Sequence, residues 1–163
     1  MSGGQGSLAE AVLAALVARG RRLVTVESCT GGMVAAALTD IAGSSAVFER
    51  GFVTYSNEAK AELVGVDPAL IRAHGAVSAE VAKAMAEGGL RHSRAEVAVA
   101  ITGVAGPGGS EHKPEGLVYF HAAMEGGAFE ARRREFGPIG RAEVRRRSVE
   151  EALSMVLALD AAG

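Results

Sequence analysis

The chain has 163 residues, of which 48% are hydrophobic, and its 17 basic and 19 acidic side chains give a net charge of −2. This length fits one domain with a sizeable core, and the near-neutral charge argues against a dedicated nucleic-acid binder, which normally carries a basic stripe. The single cysteine, Cys29, excludes an internal disulfide and argues against structural zinc; because no apolar run reaches the roughly 18 residues of a membrane span and residues 1–6 lack a signal segment, we expect a cytoplasmic protein with no membrane partner.

The first half of the chain predicts alternating helices and strands. Ser7 and Glu10 have the spacing of a capping box, so we expect a helix that starts at Ser7 and ends at Gly20, with residues 1–6 flexible. In chain order, the apolar spacing and the turn residues then predict a strand at 23–26, a helix at 30–41, a strand at 51–55, and helices at 56–65, 68–75 and 78–90.

The second half predicts a buried strand at 96–102, a hairpin and a long helix. The hairpin strands are expected at 117–123 and 128–136, and the helix from about 140 to 159. Because helices and strands interleave early and the hairpin comes late, we predict an α/β fold, a three-layer α/β/α sandwich around a mixed, mostly parallel sheet. Since no repeat or linker interrupts residues 1–163, we expect a single domain, and its apolar helix faces suggest a homo-oligomer, with a dimer as the first guess.

The turn after the first strand departs from regular patterning. If Thr30 is the N-cap of the next helix, Gly31 and Gly32 occupy its first turn, where each glycine costs roughly 0.5–1 kcal/mol relative to alanine. Such a turn lets backbone N–H groups approach a phosphate or the oxyanion of an acyl-transfer intermediate. Ser28 and Cys29 lie beside these donors as candidate nucleophiles. The plainer interpretation is a tight turn with a packed cysteine.

A second departure is a lysine at the start of a helix. With Ser56 or Asn57 as N-cap, Lys60 falls in the first turn, where its charge opposes the helix dipole. That position is expected to depress the lysine pKa, which suits a general base. The alternative is an ordinary solvent-exposed lysine.

The third departure is the loop at residues 102–110, which contains four glycines. It follows the best predicted strand, where α/β sheets commonly bind ligands, and its backbone amides could line a site. The loop matches neither a P-loop nor a dinucleotide fingerprint. The alternative is a flexible connection.

Taken together, five segments of the chain resemble one family. They are Glu-Ser-Cys-Thr-Gly-Gly at 27–32, Phe-Glu-Arg-Gly-Phe-Val-Thr-Tyr-Ser-Asn-Glu-Ala-Lys at 48–60, His-Gly-Ala-Val-Ser at 74–78, Thr-Gly-Val-Ala-Gly-Pro at 102–107 and Lys-Pro-Glu-Gly at 113–116. In this order they resemble the CinA C-terminal family, whose characterised activity is nicotinamide-nucleotide amidase. The resemblance covers nearly the whole chain and implies the same three-layer fold.

The resemblance implies hydrolysis of nicotinamide mononucleotide, a small pyridine nucleotide, to nicotinate mononucleotide and ammonia. A primary amide is a poor electrophile, so we predict attack by Ser28 with Lys60 as base and Tyr55 orienting Lys60 or relaying a proton. Backbone N–H groups at Thr30, Gly31 and Gly32, next to Cys29, are expected to hold the oxyanion. This scheme needs neither a metal nor a cofactor.

The phosphate of such a substrate requires donors. Thr102, Gly103 and Gly106 of the glycine-rich loop are the first candidates, and Arg141 is the second, because a guanidinium binds phosphate with two hydrogen bonds. Arg145, one helical turn further, could share that face, although the run of arginines at 145–147 otherwise predicts a solvated surface.

Two features depart from the commoner family pattern. The segment between Pro107 and Lys113 is slightly shorter, and Glu115 replaces a residue that is often apolar. Both bear on substrate preference within the pyridine compounds.

Two other functions stay open on the sequence alone. Cys29 lies near a predicted helix N-terminus, which lowers a thiol pKa, so a Cys29-dependent amidase is one alternative. The other is a non-catalytic nucleotide-binding or regulatory module linked to competence or DNA damage, because fold and family do not guarantee activity.

Overall fold

A computed structural model describes residues 3–110 and 112–163. Its helices are α1 (Gly3–Ala18), α2 (Met33–Thr39), α3 (Asn57–Val64), α4 (Pro68–His74), α5 (Ala79–Arg91) and α6 (Arg141–Ala162). Its strands are β1 (Leu23–Glu27), β2 (Phe48–Val53), β3 (Val97–Gly103), β4 (Leu117–Met124) and β5 (Phe129–Glu135). A short 3₁₀ helix, Ser44–Ala46, precedes β2. Within the described ranges, no helix is both long and apolar enough to cross a membrane.

The strands form one sheet in the order β2-β1-β3-β4-β5. Strand β1 pairs in parallel with β2 and β3, whereas β4 is antiparallel to both β3 and β5. Only β4 therefore runs against the other strands, which confirms the predicted mixed, mostly parallel sheet. Helices α1, α2 and α6 cover one face and α3, α4 and α5 cover the other, as predicted for a three-layer sandwich.

Strand β3 contributes side chains to the hydrophobic core on both faces of the sheet. Its odd-numbered residues, such as Val99 and Ile101, face α1 and α6, while Ala98 and Ala100 face α5. Successive side chains of a strand point to opposite faces, so a fully buried strand needs apolar residues at every position.

Helix α5 approaches the sheet and α3 closely through two glycines. A Cβ atom at Gly89 would lie 2.6 Å from Val26 Cγ2, and one at Gly88 would collide with the backbone oxygen of Val64. Larger side chains would push α5 away. These contacts fix α3, and with it Lys60, against the rest of the fold.

Two helix starts differ from the prediction. Helix α1 begins at Gly3 rather than Ser7, so residues 3–6, expected to be flexible, are helical; Met1 and Ser2 lie outside the described residues. Gln5 is buried and donates from Nε2 to Arg146 O over 3.2 Å, so docking on α6 extends the helix beyond the local capping signal. Helix α2 begins at Met33, not Thr30.

Strand β2 also starts earlier than predicted, at Phe48 rather than residue 51. It pairs with β1 alone and lies at the edge of the sheet. Glu49 and Arg50 can point to solvent there, and edge strands commonly carry charged residues. These charges interrupt the apolar pattern that predicts a strand, which explains why the predicted start came too late.

Candidate active site

A cavity of about 330 Å³ opens at the carboxyl edge of the three parallel strands. Strands β1, β2 and β3 end there at Glu27, Val53 and Gly103, where α/β sheets usually bind ligands. The cavity lining includes eight of the residues predicted from the sequence, namely Ser28, Cys29, Tyr55, Lys60, Thr102, Gly103, Gly106 and Arg141. Residues from distant parts of the chain therefore meet at one site.

Ser28 and Lys60 are hydrogen-bonded to each other in the lining of this cavity. Lys60 Nζ lies 3.1 Å from Ser28 Oγ and donates to Thr54 O over 2.8 Å. Lys60 is only 1% exposed, so the alternative of a solvent-exposed lysine is wrong. Ser56 caps α3, as one of the two predicted N-caps, by accepting from Ala59 N. That cap places Lys60 in the first turn, directed at the end of β1.

The turn that carries Ser28 is anchored by Glu27. This carboxylate, 1% exposed, accepts from Thr30 Oγ1 at 2.6 Å and from the N–H groups of Val34 and Ala35 at 3.0 Å each. Glu27 therefore occupies two backbone donors at the start of α2, Val34 N and Ala35 N, which lie beyond the Thr30–Gly32 donors that the sequence assigned to a ligand. Thr30 serves this anchor and does not cap the helix; Gly32 is the N-cap residue instead.

One of the three predicted oxyanion donors is already used within the turn, because Gly31 N donates to Ser28 O over 3.0 Å. None of Thr30, Gly31 and Gly32 belongs to the described lining of the cavity. The N–H groups of Cys29 and Thr30, which adjoin Ser28, make no backbone–backbone hydrogen bond among the described residues. Of these two residues, Cys29 lines the cavity.

Cys29 is a poor thiolate in this setting. It is 5% exposed, and burial raises the pKa of its thiol to about 12. The sequence predicted the opposite shift from a helix N-terminus, but desolvation of the thiolate outweighs it. A neutral thiol is a weak nucleophile.

Arg141 links two walls of the cavity mouth. Its Nη1 donates to Gly106 O over 2.8 Å and its Nη2 donates to the Tyr55 hydroxyl over 2.9 Å. Tyr55 is 60% exposed and lies at the entrance, where it contacts Arg141. Because a guanidinium has five N–H donors, these two bonds leave others for an anion.

Thr102 and the glycine-rich loop form the opposite wall. Thr102 is buried and donates from Oγ1 to Ala76 O over 2.9 Å. The loop is held at its base by Val104 and at its tip by Glu115, whose carboxylate accepts from Gly108 N. These contacts order the loop, in contrast to the flexible connection considered as an alternative.

Arg145 does not share the cavity face with Arg141. Its Nε donates to Cys29 O over 3.0 Å and its Nη2 to Thr30 O over 3.3 Å. Unlike Arg141, Arg145 is not among the residues that line the cavity, so its guanidinium is directed at the turn behind Ser28 and not at the predicted phosphate site.

Two residues of the site received no binding or catalytic role in the sequence analysis. Asn57 and Val77 also line the cavity, as does Ser110 at the end of the predicted 102–110 loop. Val77 lies in the quoted 74–78 segment, which received no role although it matched the family.

Across residues 3–110 and 112–163, no group of three or more His, Cys, Asp or Glu side chains is placed to hold a metal ion.

Comparisons with known proteins find relatives in both sequence and fold. The CinA C-terminal domain model matches residues 5–159. The Escherichia coli K12 protein named nicotinamide-nucleotide amidohydrolase PncC is 54% identical over 90% of this chain and 88% of its own length. A CinA-like protein of Mycolicibacterium gilvum is 51% identical over 93% of this chain and 36% of its own length. The crystal structure of competence/damage inducible protein CihA from Agrobacterium tumefaciens superposes with a TM-score of 0.95 at 46% identity, covering 98% of both chains.

Proposed function

Since the chain belongs to the CinA C-terminal domain family, we propose that it is a cytoplasmic hydrolase that converts nicotinamide mononucleotide into nicotinate mononucleotide and ammonia. The observation that carries the proposal is the buried Lys60 Nζ, 3.1 Å from Ser28 Oγ in the cavity. The name of the Escherichia coli relative, a nicotinamide-nucleotide amidohydrolase, supports the substrate class.

The proposed first step is acylation of Ser28. The amine of Lys60, in its neutral form, takes the hydroxyl proton of Ser28 while Oγ attacks the carboxamide carbon. The hydrogen bond from Nζ to Thr54 O holds the amine, so that its lone pair can face Ser28. Lys60 then passes the proton to the amide nitrogen, the C–N bond breaks, and ammonia leaves an acyl-enzyme.

The second step is hydrolysis of that ester. Water replaces ammonia, Lys60 removes a proton from it, and attack on the acyl carbon releases the nicotinate product and restores the Ser28 hydroxyl. In both steps negative charge develops on the former amide oxygen. The N–H groups of Cys29 and Thr30 are the donors we assign to it, since preorganised backbone donors are typical of such sites.

We assign the nucleotide phosphate to Arg141 and to the loop that begins at Thr102. Arg141 stands at the mouth of the cavity, where the non-reacting end of a nucleotide would lie while its amide reaches Ser28. Tyr55 accepts from Arg141 and so acts in this proposal by holding that guanidinium. The cavity lining contains no described carboxylate, which favours an anionic ligand.

The test is ammonia release from nicotinamide, its riboside, its mononucleotide and NAD, measured side by side. We expect the mononucleotide to give the highest kcat/KM, because only it combines the amide with a terminal phosphate. Ser28→Ala protein is the matched blank for contaminating amidase. Binding of the mononucleotide without ammonia release would instead favour a regulatory module, a role suggested by the competence/damage names of relatives.

We also expect turnover to be independent of added metal. The proposed nucleophile and base are both side chains, so prolonged EDTA treatment followed by desalting should leave kcat unchanged within error. Activity that is lost with EDTA and restored by zinc or magnesium would contradict the serine–lysine scheme. A metal-dependent amidase assayed in parallel shows that the chelation was effective.

A further inference from the structure

We propose that Arg145 is a positioning residue for this reaction, which holds the peptide between Cys29 and Thr30 so that its N–H faces the developing oxyanion. The inference rests on the proposed function. It starts from the two hydrogen bonds of the guanidinium, 3.0 Å from Nε to Cys29 O and 3.3 Å from Nη2 to Thr30 O. Both acceptors lie in the turn that carries the proposed nucleophile.

The covalent geometry of the peptide converts these contacts into an orientation. Cys29 C=O and Thr30 N–H belong to the same planar trans peptide and point in opposite directions. A donor fixed on the carbonyl oxygen therefore fixes the direction of the N–H. A cationic donor on that oxygen also polarises the peptide, which strengthens its N–H as a hydrogen-bond donor.

Helix α6 places two arginines, one turn apart, on different parts of one site. Arg141 reaches the cavity mouth, whereas Arg145 reaches the back of the Ser28 turn and is not part of the described cavity lining. Residues four apart on a helix share a face, so a single rigid element sets both. Because Arg145 lies outside the described cavity lining, the proposal assigns it an effect on the turn and not a contact with the substrate.

Gly31 leaves the space that Arg145 occupies. Its φ is +57°, a left-handed conformation that favours glycine, and a Cβ atom there would lie 3.3 Å from Arg145 Nη2. On the other side, the Glu27 carboxylate accepts from Thr30 Oγ1. The turn is thus held between an anion and a cation, each bound to a different group of Thr30.

The neighbouring arginines behave differently and provide a matched control. Arg146 and Arg147 form ion pairs with Glu143 of their own helix. These two side chains match the solvated face predicted from the arginine run, whereas Arg145 does not. Arg147→Ala therefore removes the same side chain from the same helix without touching the Ser28 turn.

The experiment compares Arg145→Ala, Arg145→Lys and Arg147→Ala in steady-state hydrolysis of nicotinamide mononucleotide. For Arg145→Ala we expect kcat to fall roughly ten-fold or more while KM stays within about three-fold, because removing an oxyanion donor outright costs roughly 100- to 1,000-fold. Arg145→Lys keeps the charge but not the forked geometry and should be intermediate. Millimolar guanidinium should restore part of the lost kcat in Arg145→Ala and none in Arg147→Ala.

The outcomes separate the two proposals. An inactive wild-type chain would overturn the proposed function and this inference together. The inference alone would be overturned if the wild type is active and the kcat of Arg145→Ala lies within two-fold of the wild-type kcat. It would also be overturned if KM rises by as large a factor as kcat falls. If Arg145→Ala does not fold, as judged by its thermal transition, the decision passes to Arg145→Lys, for which unchanged kcat would count against the inference.

Discussion

Replacing Ser28 or Lys60 is expected to abolish ammonia release, whereas replacing Cys29 should leave most of it. Ser28→Ala removes the proposed nucleophile, and Lys60→Met removes the base while its apolar chain still fills the buried site. The two single variants and the double variant should be about equally inactive, because residues that act as a unit do not add their effects. Loss of about a thousand-fold or more in kcat is the expected scale for such a unit.

Product binding is the control for an intact site in these variants. Ser28→Ala keeps the walls of the cavity, so calorimetry should still detect nicotinate mononucleotide. Cys29→Ala and Cys29→Ser are expected to lose only modest packing, since burial raises the pKa of the Cys29 thiol to about 12 and leaves little thiolate at neutral pH. An inactive Cys29→Ala beside an active Ser28→Ala would refute the serine–lysine assignment and leave the amidase function standing.

Local signals predicted much of the fold because the elements they mark are stabilised locally. The side chains of Asp67 and Ser78 cap α4 and α5 by accepting from a nearby backbone N–H, and Pro68 is the first residue of α4. The hairpin of β4 and β5 forms at the predicted place, on either side of a glycine turn. Caps and tight turns depend on residues a few positions apart, so the sequence displays them directly.

The remaining features depend on contacts between distant residues. Arg145 reaches Cys29 O across 116 positions, and Gln5 reaches Arg146 O across 141. No spacing rule identifies such partners. The sequence therefore suggested that Arg145 shares the phosphate-binding face of Arg141, and it predicted the start of α1 at Ser7 instead of Gly3. Glu27 illustrates the same limit at short range. The sequence shows that Glu27 precedes Ser28. Only the path of the turn shows that its carboxylate accepts hydrogen bonds from backbone N–H groups at the start of α2.

Replacing Arg141 should weaken binding of the mononucleotide far more than binding of the riboside. The two ligands differ only in the phosphate, and a hydrogen bond to a charged group contributes about 1.5–3 kcal/mol. We therefore expect Arg141→Ala to raise the Kd of the mononucleotide roughly ten- to hundred-fold. The riboside should change by less than about three-fold. Calorimetry in a Ser28→Ala background measures binding without turnover.

Arg141 also holds the loop and the tyrosine, so its replacement could disturb the cavity as a whole. Its guanidinium donates to Gly106 O and to the Tyr55 hydroxyl. Tyr55→Phe removes the second of these contacts and keeps the arginine, and we expect it to alter the mononucleotide Kd by only a few-fold, because a single exposed hydrogen bond contributes about 1 kcal/mol. A selective loss of mononucleotide binding in Arg141→Ala would support a direct phosphate contact. Equal loss for mononucleotide and riboside would mean that Arg141 shapes the cavity wall and that the phosphate binds elsewhere.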